Sequence, residues 1–212
     1  VINYLKTENA YTDTVMASTK DLQKKIYDEI IGRIKEDDQS YPTLSNGYYY
    51  FTRTEKGKQY RTYCRKKGSE KAAEEIIFDV NKMAEGKPAY MFEGYDISPD
   101  NRLAGYFFNE TGSFADYILK IKDLTTGKDL DLTIKGASSF AWANDSKTLF
   151  YTQIDPVTLR SYRVYRQVLG NPKANLIYEE KDAKFSLGVS DSKTKDYIFI
   201  SINSTTTSEE RF

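Results

Sequence analysis

A short polar turn between two apolar strands recurs in this chain at intervals of about 46 residues. Its three copies are Asp96–Leu103, Ala141–Thr148 and Gly188–Thr194. Strand-rich repeats of this length are typical of β-propellers, in which each repeat forms one four-stranded blade. We therefore predict a mainly β fold in the form of a partial β-propeller.

The strand pattern after residue 40 predicts about three four-stranded blades and an incomplete fourth. We place the blades approximately at 41–80, 90–134, 139–179 and 185–212. The 18 Tyr and 11 Phe favour strands, since aromatic residues fit a pleated surface. Because complete propellers hold about four to eight blades, we expect the chain to be a truncated part of a larger ring. Its unfinished last blade would expose strand edges, which are templates for self-association.

The first 40 residues predict one or two α-helices ahead of the propeller. Ser18–Asp21 provides a helix start, and the helix should end near Lys35. Within this helix, apolar residues recur every four positions, at Leu22, Ile26, Ile30 and Ile34. We expect this stripe to pack against the neighbouring sheet. An earlier helix is predicted over Ile2–Met16.

Composition argues against several partners. The 31 basic and 31 acidic residues cancel, so no overall field favours nucleic acid or an anionic membrane. No apolar run reaches the length that spans a bilayer. The single cysteine, Cys64, fits a half-buried strand position and a reducing compartment. We expect a cytoplasmic location, with the periplasm as the alternative because the sequence begins at Val1 rather than Met.

The sequence offers no residues for the commonest catalytic centres. It contains no histidine, so a serine would lack the base of a Ser-His-Asp triad, and zinc would lack its usual ligands. Phosphate-binding glycine loops are also missing. The close carboxylate pairs Asp96 and Asp100, and Glu179 and Glu180, are interpreted as turn and surface residues rather than a glycosidase pair. We assign no catalytic, cofactor-binding or metal-binding residue and expect no cofactor.

Cations and tyrosines alternate between Arg53 and Lys71. This arrangement is superficially similar to a platform for single-stranded nucleic acid, on which bases stack between basic residues. The alternative is a β-hairpin whose alternate residues face solvent. We favour the hairpin.

Several segments, in the same order along nearly the whole chain, resemble one family. They are Tyr4–Tyr11, Gly47–Tyr60, Lys122–Gly127, Val164–Gly170, Leu176–Asp182 and Thr206–Arg211. The family is the prolyl oligopeptidase family of serine peptidases, and within it the oligopeptidase B group. The resemblance implies a seven-bladed propeller that caps an α/β-hydrolase domain and admits only short peptides, which are cleaved after Lys or Arg.

The catalytic triad and the acidic specificity residues would lie in that hydrolase domain, so none is assigned to this chain. The resemblance implies two partners, the C-terminal hydrolase domain of the same polypeptide and short peptide substrates. We expect the chain alone to be inactive. The alternative is a stand-alone propeller that serves as a binding or scaffold module.

Overall fold

The structure, a computed structural model, describes residues 1–113 and 115–212. Helix α1 spans Ile2–Met16, a single 3-10 turn covers Ala17–Thr19, and helix α2 spans Lys20–Arg33. A one-turn helix, α3, follows at Val80–Met83. None of the helices in the described residues is long and apolar enough to cross a bilayer.

Within the described residues the strands form four antiparallel sheets, taken in chain order. The first sheet contains β1 (Asp38–Gln39), β2 (Thr43–Ser45), β3 (Tyr48–Thr54), β4 (Thr62–Lys67) and β5 (Glu74–Asp79). The second contains β6 (Met91–Ile97), β7 (Leu103–Asn109), β8 (Ile118–Asp123) and β9 (Asp129–Lys135). The third contains β10 (Ala137–Trp142), β11 (Thr148–Ile154), β12 (Ser161–Val168) and β13 (Asn175–Glu179). The fourth contains β14 (Ser186–Asp191), β15 (Ile198–Asn203) and β16 (Ser208–Arg211).

The first sheet has an innermost strand that is split in two. Both β1 and β2 pair with β3, and Tyr41 and Pro42 lie between them. Proline has no backbone N–H to donate to a ladder, so it interrupts the strand at the sheet edge, where such a break is tolerated.

Three apolar cores lie between successive sheets. Phe78 of the first sheet contacts Tyr106 of the second in one core. The next core contains Leu119 and Trp142, from the second and third sheets, and the last contains Val164 and Ile202, from the third and fourth. Sheets that stack face to face in chain order are the arrangement of propeller blades, and the predicted partial propeller is confirmed.

The helical apolar stripe does not pack against a sheet as expected. Helices α1 and α2 contain no buried residue, and Leu22 and Ile30 are 57% and 55% exposed. The prediction failed because an amphipathic pattern shows that a face is apolar without showing what covers it. Helix α2 also ends at Arg33, before the predicted Lys35, because Ile34 is already extended.

Three strands were missed: β1 and β2, which pair with β3, and β16, which adds a third strand to the last sheet. All three are short and exposed, so they carry no apolar alternation. The expected self-association through strand edges stays a prediction.

Candidate functional site at the inner turns

Four turns join the innermost strand of each sheet to the next strand, and we call them the inner turns. Each contains one non-glycine residue with positive φ, namely Asn46 (44°), Asn101 (63°), Ser146 (56°) and Lys195 (64°). This left-handed conformation is uncommon outside glycine. In the second sheet the amide of Asn101 donates to the Ser98 carbonyl at 2.8 Å, and equivalent bonds close the turns of the third and fourth sheets. The recurring sequence unit is therefore one backbone structure repeated from sheet to sheet.

Side chains connect the inner turns of neighbouring sheets. The Asn46 side-chain amide donates to the carbonyl of Pro99 at 2.7 Å, and that of Asn101 donates to the carbonyl of Asn46 at 3.2 Å. The backbone amide of Asp100 donates to Oγ of Ser146 at 3.0 Å. These bonds hold the first three inner turns side by side, so that they form one continuous surface.

A cavity of about 650 Å³ opens among the inner turns, and we call it the inner-turn cavity. All four sheets contribute to its wall. Its aromatic and charged lining residues are Tyr50, Tyr95, Asp96, Lys193 and Lys195. Because the innermost strands of a propeller surround its axis, we expect this cavity to face the central channel of a complete ring. Its volume is in the range of sites that bind small molecules or a few residues of a peptide.

Asp96 lies on the innermost strand β6, where it pairs with Gly105, so its interpretation as a turn residue was wrong. The turn begins two residues later, at Ser98. Burial raises the pKa of the Asp96 carboxyl, and the charge of Lys195 opposes this shift. The Lys195 ammonium is itself paired with Asp191. The inner-turn cavity thus combines a carboxylate from the second sheet with a cation from the fourth.

Asp100, Glu179 and Glu180, the other carboxylates considered for a glycosidase pair, bind neighbouring residues of this chain, in agreement with their interpretation as turn and surface residues. The Asp100 carboxylate accepts hydrogen bonds from Oγ of Ser98 at 2.6 Å and from the amide of Arg102 at 3.1 Å within its turn. Glu179 pairs with Arg163 at 2.6 Å, and Glu180 accepts the hydroxyl of Tyr178 at 2.7 Å.

Cys64 and metal sites offer no further candidate. Cys64 is fully buried on β4, and burial, followed by the nearby Glu74, raises the pKa of its thiol to about 11. A thiol with so high a pKa is a poor nucleophile. In residues 1–113 and 115–212, no three His, Cys, Asp or Glu side chains are grouped to hold a metal ion.

The basic segment from Arg53 to Lys71 forms the predicted hairpin, built by β3 and β4. Arg65 is only 5% exposed, pairs with Glu75 at 2.8 Å, and lies 4.2 Å from the ring centroid of Tyr48. Arg53 pairs with Glu55 in the turn after β3 and with Glu74 on β5. These two cations stabilise the first sheet. The predicted pairing of β3 with β4 is confirmed, but alternate residues of β4 do not all face solvent, since the adjacent Cys64 and Arg65 are both buried.

The repeated sheets and turns match a known family along the whole chain. A family model described as the N-terminal beta-propeller domain of prolyl oligopeptidase matches residues 1–212. The chain belongs to the prolyl oligopeptidase family. The resemblance seen in the sequence is thereby confirmed.

Two relatives support the assignment of this prolyl oligopeptidase propeller. Dipeptidyl aminopeptidase BI of Pseudoxanthomonas mexicana is 39% identical to this chain. The match covers 100% of the chain and 32% of the length of the relative. Protease 2 of Moraxella lacunata is 31% identical, over 99% of the chain and 31% of its own length. The propeller chain therefore spans about a third of the length of the relatives it matches.

Solved structures give the same answer. Oligopeptidase B from Leishmania major superimposes on this chain with a TM-score of 0.89 and 32% sequence identity. The match covers 99% of this chain and 30% of the oligopeptidase B chain. Oligopeptidase B from Trypanosoma brucei, in a closed form with covalently bound antipain, has a TM-score of 0.87 and 28% identity. The oligopeptidase B group named from the sequence motifs is thus supported by both fold and sequence.

The residues that line the inner-turn cavity were not predicted from the sequence. Tyr50, Tyr95 and Lys195 come from three different sheets, and a single sequence does not show that they meet. A usable signal existed, because each of these residues lies in or within five residues of an inner turn.

Proposed function

We propose that this chain is the substrate-gating propeller portion of a serine oligopeptidase that cleaves short peptides after Lys or Arg. The single observation that carries the proposal is the likeness to oligopeptidase B over 99% of the chain at 32% identity. Fold alone would not suffice, because propellers serve many functions.

In this proposal the propeller contributes steric selection rather than chemistry. Blades that surround a channel with close-packed side chains exclude folded proteins, whereas an extended peptide can pass or enter at the edge. The three apolar cores between the sheets keep the blades together and so maintain the selection. The nucleophile and its base would come from a hydrolase domain of the same polypeptide.

The chain alone is expected to be inactive as a peptidase. Acyl transfer by a serine needs a base with a pKa near neutral beside the hydroxyl, and this chain has no histidine. The Cys64 thiol does not replace it, because it is buried and weakly acidic.

The test compares the full-length protein with the 212-residue chain. The full-length protein should hydrolyse short blocked anilides that end in Arg or Lys, and the matched citrulline anilide should be a poor substrate. It should leave the same Arg-containing segment intact when that segment lies within a folded protein. Activity of the 212-residue chain after rigorous purification, or equal cleavage of the arginine and citrulline anilides, would contradict the proposal.

A second activity is favoured by one observation, the 39% identity to a protein named dipeptidyl aminopeptidase. Such an enzyme removes dipeptides from a free N-terminus, whereas an endopeptidase also accepts a blocked one. Matched dipeptidyl anilides with free and acetylated N-termini distinguish the two. Cleavage of the free form alone would establish the aminopeptidase and overturn the endopeptidase.

A stand-alone scaffold makes a different prediction. The same polypeptide would then contain no hydrolase sequence with a Gly-x-Ser-x-Gly nucleophile elbow. The full-length coding sequence therefore distinguishes the oligopeptidase propeller from the stand-alone scaffold. We also propose a cytoplasmic location, supported by the unpaired Cys64, and cell fractionation tests it.

A further inference from the structure

Asn46 and Gly47 form the turn between β2 and β3, and both have positive φ, at 44° and 78°. Two such residues make the tight hairpin turn in which the pair Asn-Gly is favoured. This pair occurs only once in the sequence, and its Asn46 is exposed. Asparagine is chemically labile, and most so before glycine, because no Cβ atom shields the amide nitrogen that follows it.

The amide nitrogen of Gly47 is available for reaction. Among residues 1–113 and 115–212, no backbone carbonyl accepts a hydrogen bond from it. A Cβ atom placed on Gly47 would meet no other atom within 4 Å, so the space beside the turn is open to water. Neither a backbone hydrogen bond nor crowding therefore protects this nitrogen.

Deamidation at this pair is a reaction of the chain with water alone. The Gly47 nitrogen loses its proton to hydroxide and attacks Cγ of Asn46. The new N–Cγ bond closes a succinimide ring, the Cγ–Nδ2 bond breaks, and the leaving nitrogen takes a proton from water to depart as ammonia. Water then opens the ring at either carbonyl and leaves aspartate or isoaspartate. One water is consumed and one ammonia is released, with no oxidation or reduction.

Two hydrogen bonds from the second sheet restrain this reaction. Nδ2 of Asn46 donates to the Pro99 carbonyl at 2.7 Å, which holds the leaving group and Cγ in place. Nδ2 of Asn101 donates to the Asn46 carbonyl at 3.2 Å, which restrains rotation of the peptide unit that carries the Gly47 nitrogen. Ring closure brings that nitrogen to bonding distance of Cγ, so the side chain and the peptide unit both have to move against these bonds.

We propose that Asn46 is a site of spontaneous deamidation, and that contact between the first and second inner turns controls its rate. Where the contact opens, the reaction accelerates. Its product then weakens the contact further, because a carboxylate at position 46 has no N–H to donate and leaves the Pro99 carbonyl without its partner. The inference is independent of the proposed function.

Peptide mapping of the full-length protein, after incubation in warm, mildly alkaline buffer, tests the inference. Trypsin should release residues 36–53 as one peptide, in which Asn46 is the only asparagine. Enzymatic methylation by protein isoaspartate methyltransferase then detects isoaspartate. We expect conversion at Asn46 and little at Asn144, an exposed inner-turn asparagine that is followed by Asp145. In guanidinium chloride Asn46 should convert at least about fivefold faster, because both restraining bonds are lost.

A variant tests the restraint in the folded protein. Asn101→Gly removes the side chain that binds the Asn46 carbonyl and tolerates the φ of 63° at this position. It should accelerate conversion of Asn46 about fivefold, the effect of one neutral hydrogen bond. The matched control is Leu159→Gly, which has a similar φ of 59° in the exposed turn between β11 and β12 and should leave the rate unchanged. Thermal melting followed by circular dichroism establishes that each variant is folded.

Three results would overturn the inference: no isoaspartate at position 46 in the denatured protein, equal conversion of Asn46 and Asn144 in the folded protein, or an unchanged rate in a folded Asn101→Gly protein. Hydrolysis of Arg and Lys anilides reports on the proposed function separately. A protein that deamidates at Asn46 and cleaves no anilide keeps the site and loses the peptidase. A protein that cleaves the anilides without deamidation at Asn46 keeps the peptidase and loses the site.

Discussion

The indole Nε1 of Trp142 donates a hydrogen bond to the backbone carbonyl of Asp96 at 3.2 Å. Trp142 is fully buried at the end of β10, so the bond joins the innermost strands of the second and third sheets. The ring also fills the core between these sheets, beside Leu119 and Leu149. One side chain therefore provides both apolar contact and orientation between two blades.

Replacing Trp142 by Phe should lower the free energy of unfolding by about 1–3 kcal/mol. The smaller ring leaves a cavity, and the Asp96 carbonyl loses a donor. Urea denaturation measures the change, with Tyr41→Phe as the control because Tyr41 is 88% exposed and should stay within about 0.5 kcal/mol of wild type. An equally small change in both variants would show that Trp142 does not hold the blades together.

More of the fold than of the site could be predicted, because turns and strands are indicated by residues close together in the sequence. The turn that begins at Ser98 follows from Pro99 at its second position, and the flanking strands follow from alternation of apolar and polar residues. The bond between Trp142 and Asp96 joins residues 46 positions apart, and no local pattern indicates it. The exposure of Leu22 was missed for a similar reason, since the sequence shows an apolar face but not its neighbours.

Gly105 on β7 has no room for a side chain. A Cβ atom there would lie 2.5 Å from Cε2 and 2.6 Å from Cζ of Phe140, which belongs to the next sheet. Gly105→Ala should therefore displace the Phe140 ring and lower the free energy of unfolding by about 1–3 kcal/mol. Gly188→Ala is the matched control on a strand, because its Cβ would meet Ser201 at an ordinary 3.8 Å.

A double-mutant cycle tests the cause of the Gly105→Ala effect. Phe140→Leu removes the ring that the new methyl group meets, so the double variant should be less destabilised than the sum of the two single variants. Strict additivity in urea denaturation would mean that the two positions do not interact.

Cys64 should resist alkylation while the protein is folded. Its side chain is fully buried, and its thiol pKa of about 11 leaves about one molecule in a thousand ionised at about pH 8. Mass spectrometry of the Cys64 peptide after iodoacetamide treatment should show little modification in buffer and complete modification in guanidinium chloride. Rapid modification of the folded protein would show that β4 opens readily.

The contributions of the Asp96 and Asp155 carboxylates to the stability of the fold should change with pH in opposite directions. Burial raises the pKa of Asp96 above the ordinary 3.8, against the attraction of Lys195. The amides of Thr158 and Val157 hold the pKa of Asp155 below 3.8. A group with a raised pKa binds its proton more tightly in the folded state, so its contribution to stability falls as pH rises from 3.8 through that pKa. A group with a lowered pKa loses its contribution as pH falls below 3.8 through its folded pKa.

Asp96→Asn and Asp155→Asn make this difference measurable. Relative to wild type, Asp96→Asn should gain stability as pH rises above 3.8, because the wild-type protein must then carry a partly buried charge. Asp155→Asn should lose stability relative to wild type as pH rises through the window below 3.8, where the wild-type carboxylate ionises and accepts its two amides. Urea denaturation from about pH 2 to about pH 7 gives both curves. The same sign for the two variants would show that burial does not control the pKa of Asp96.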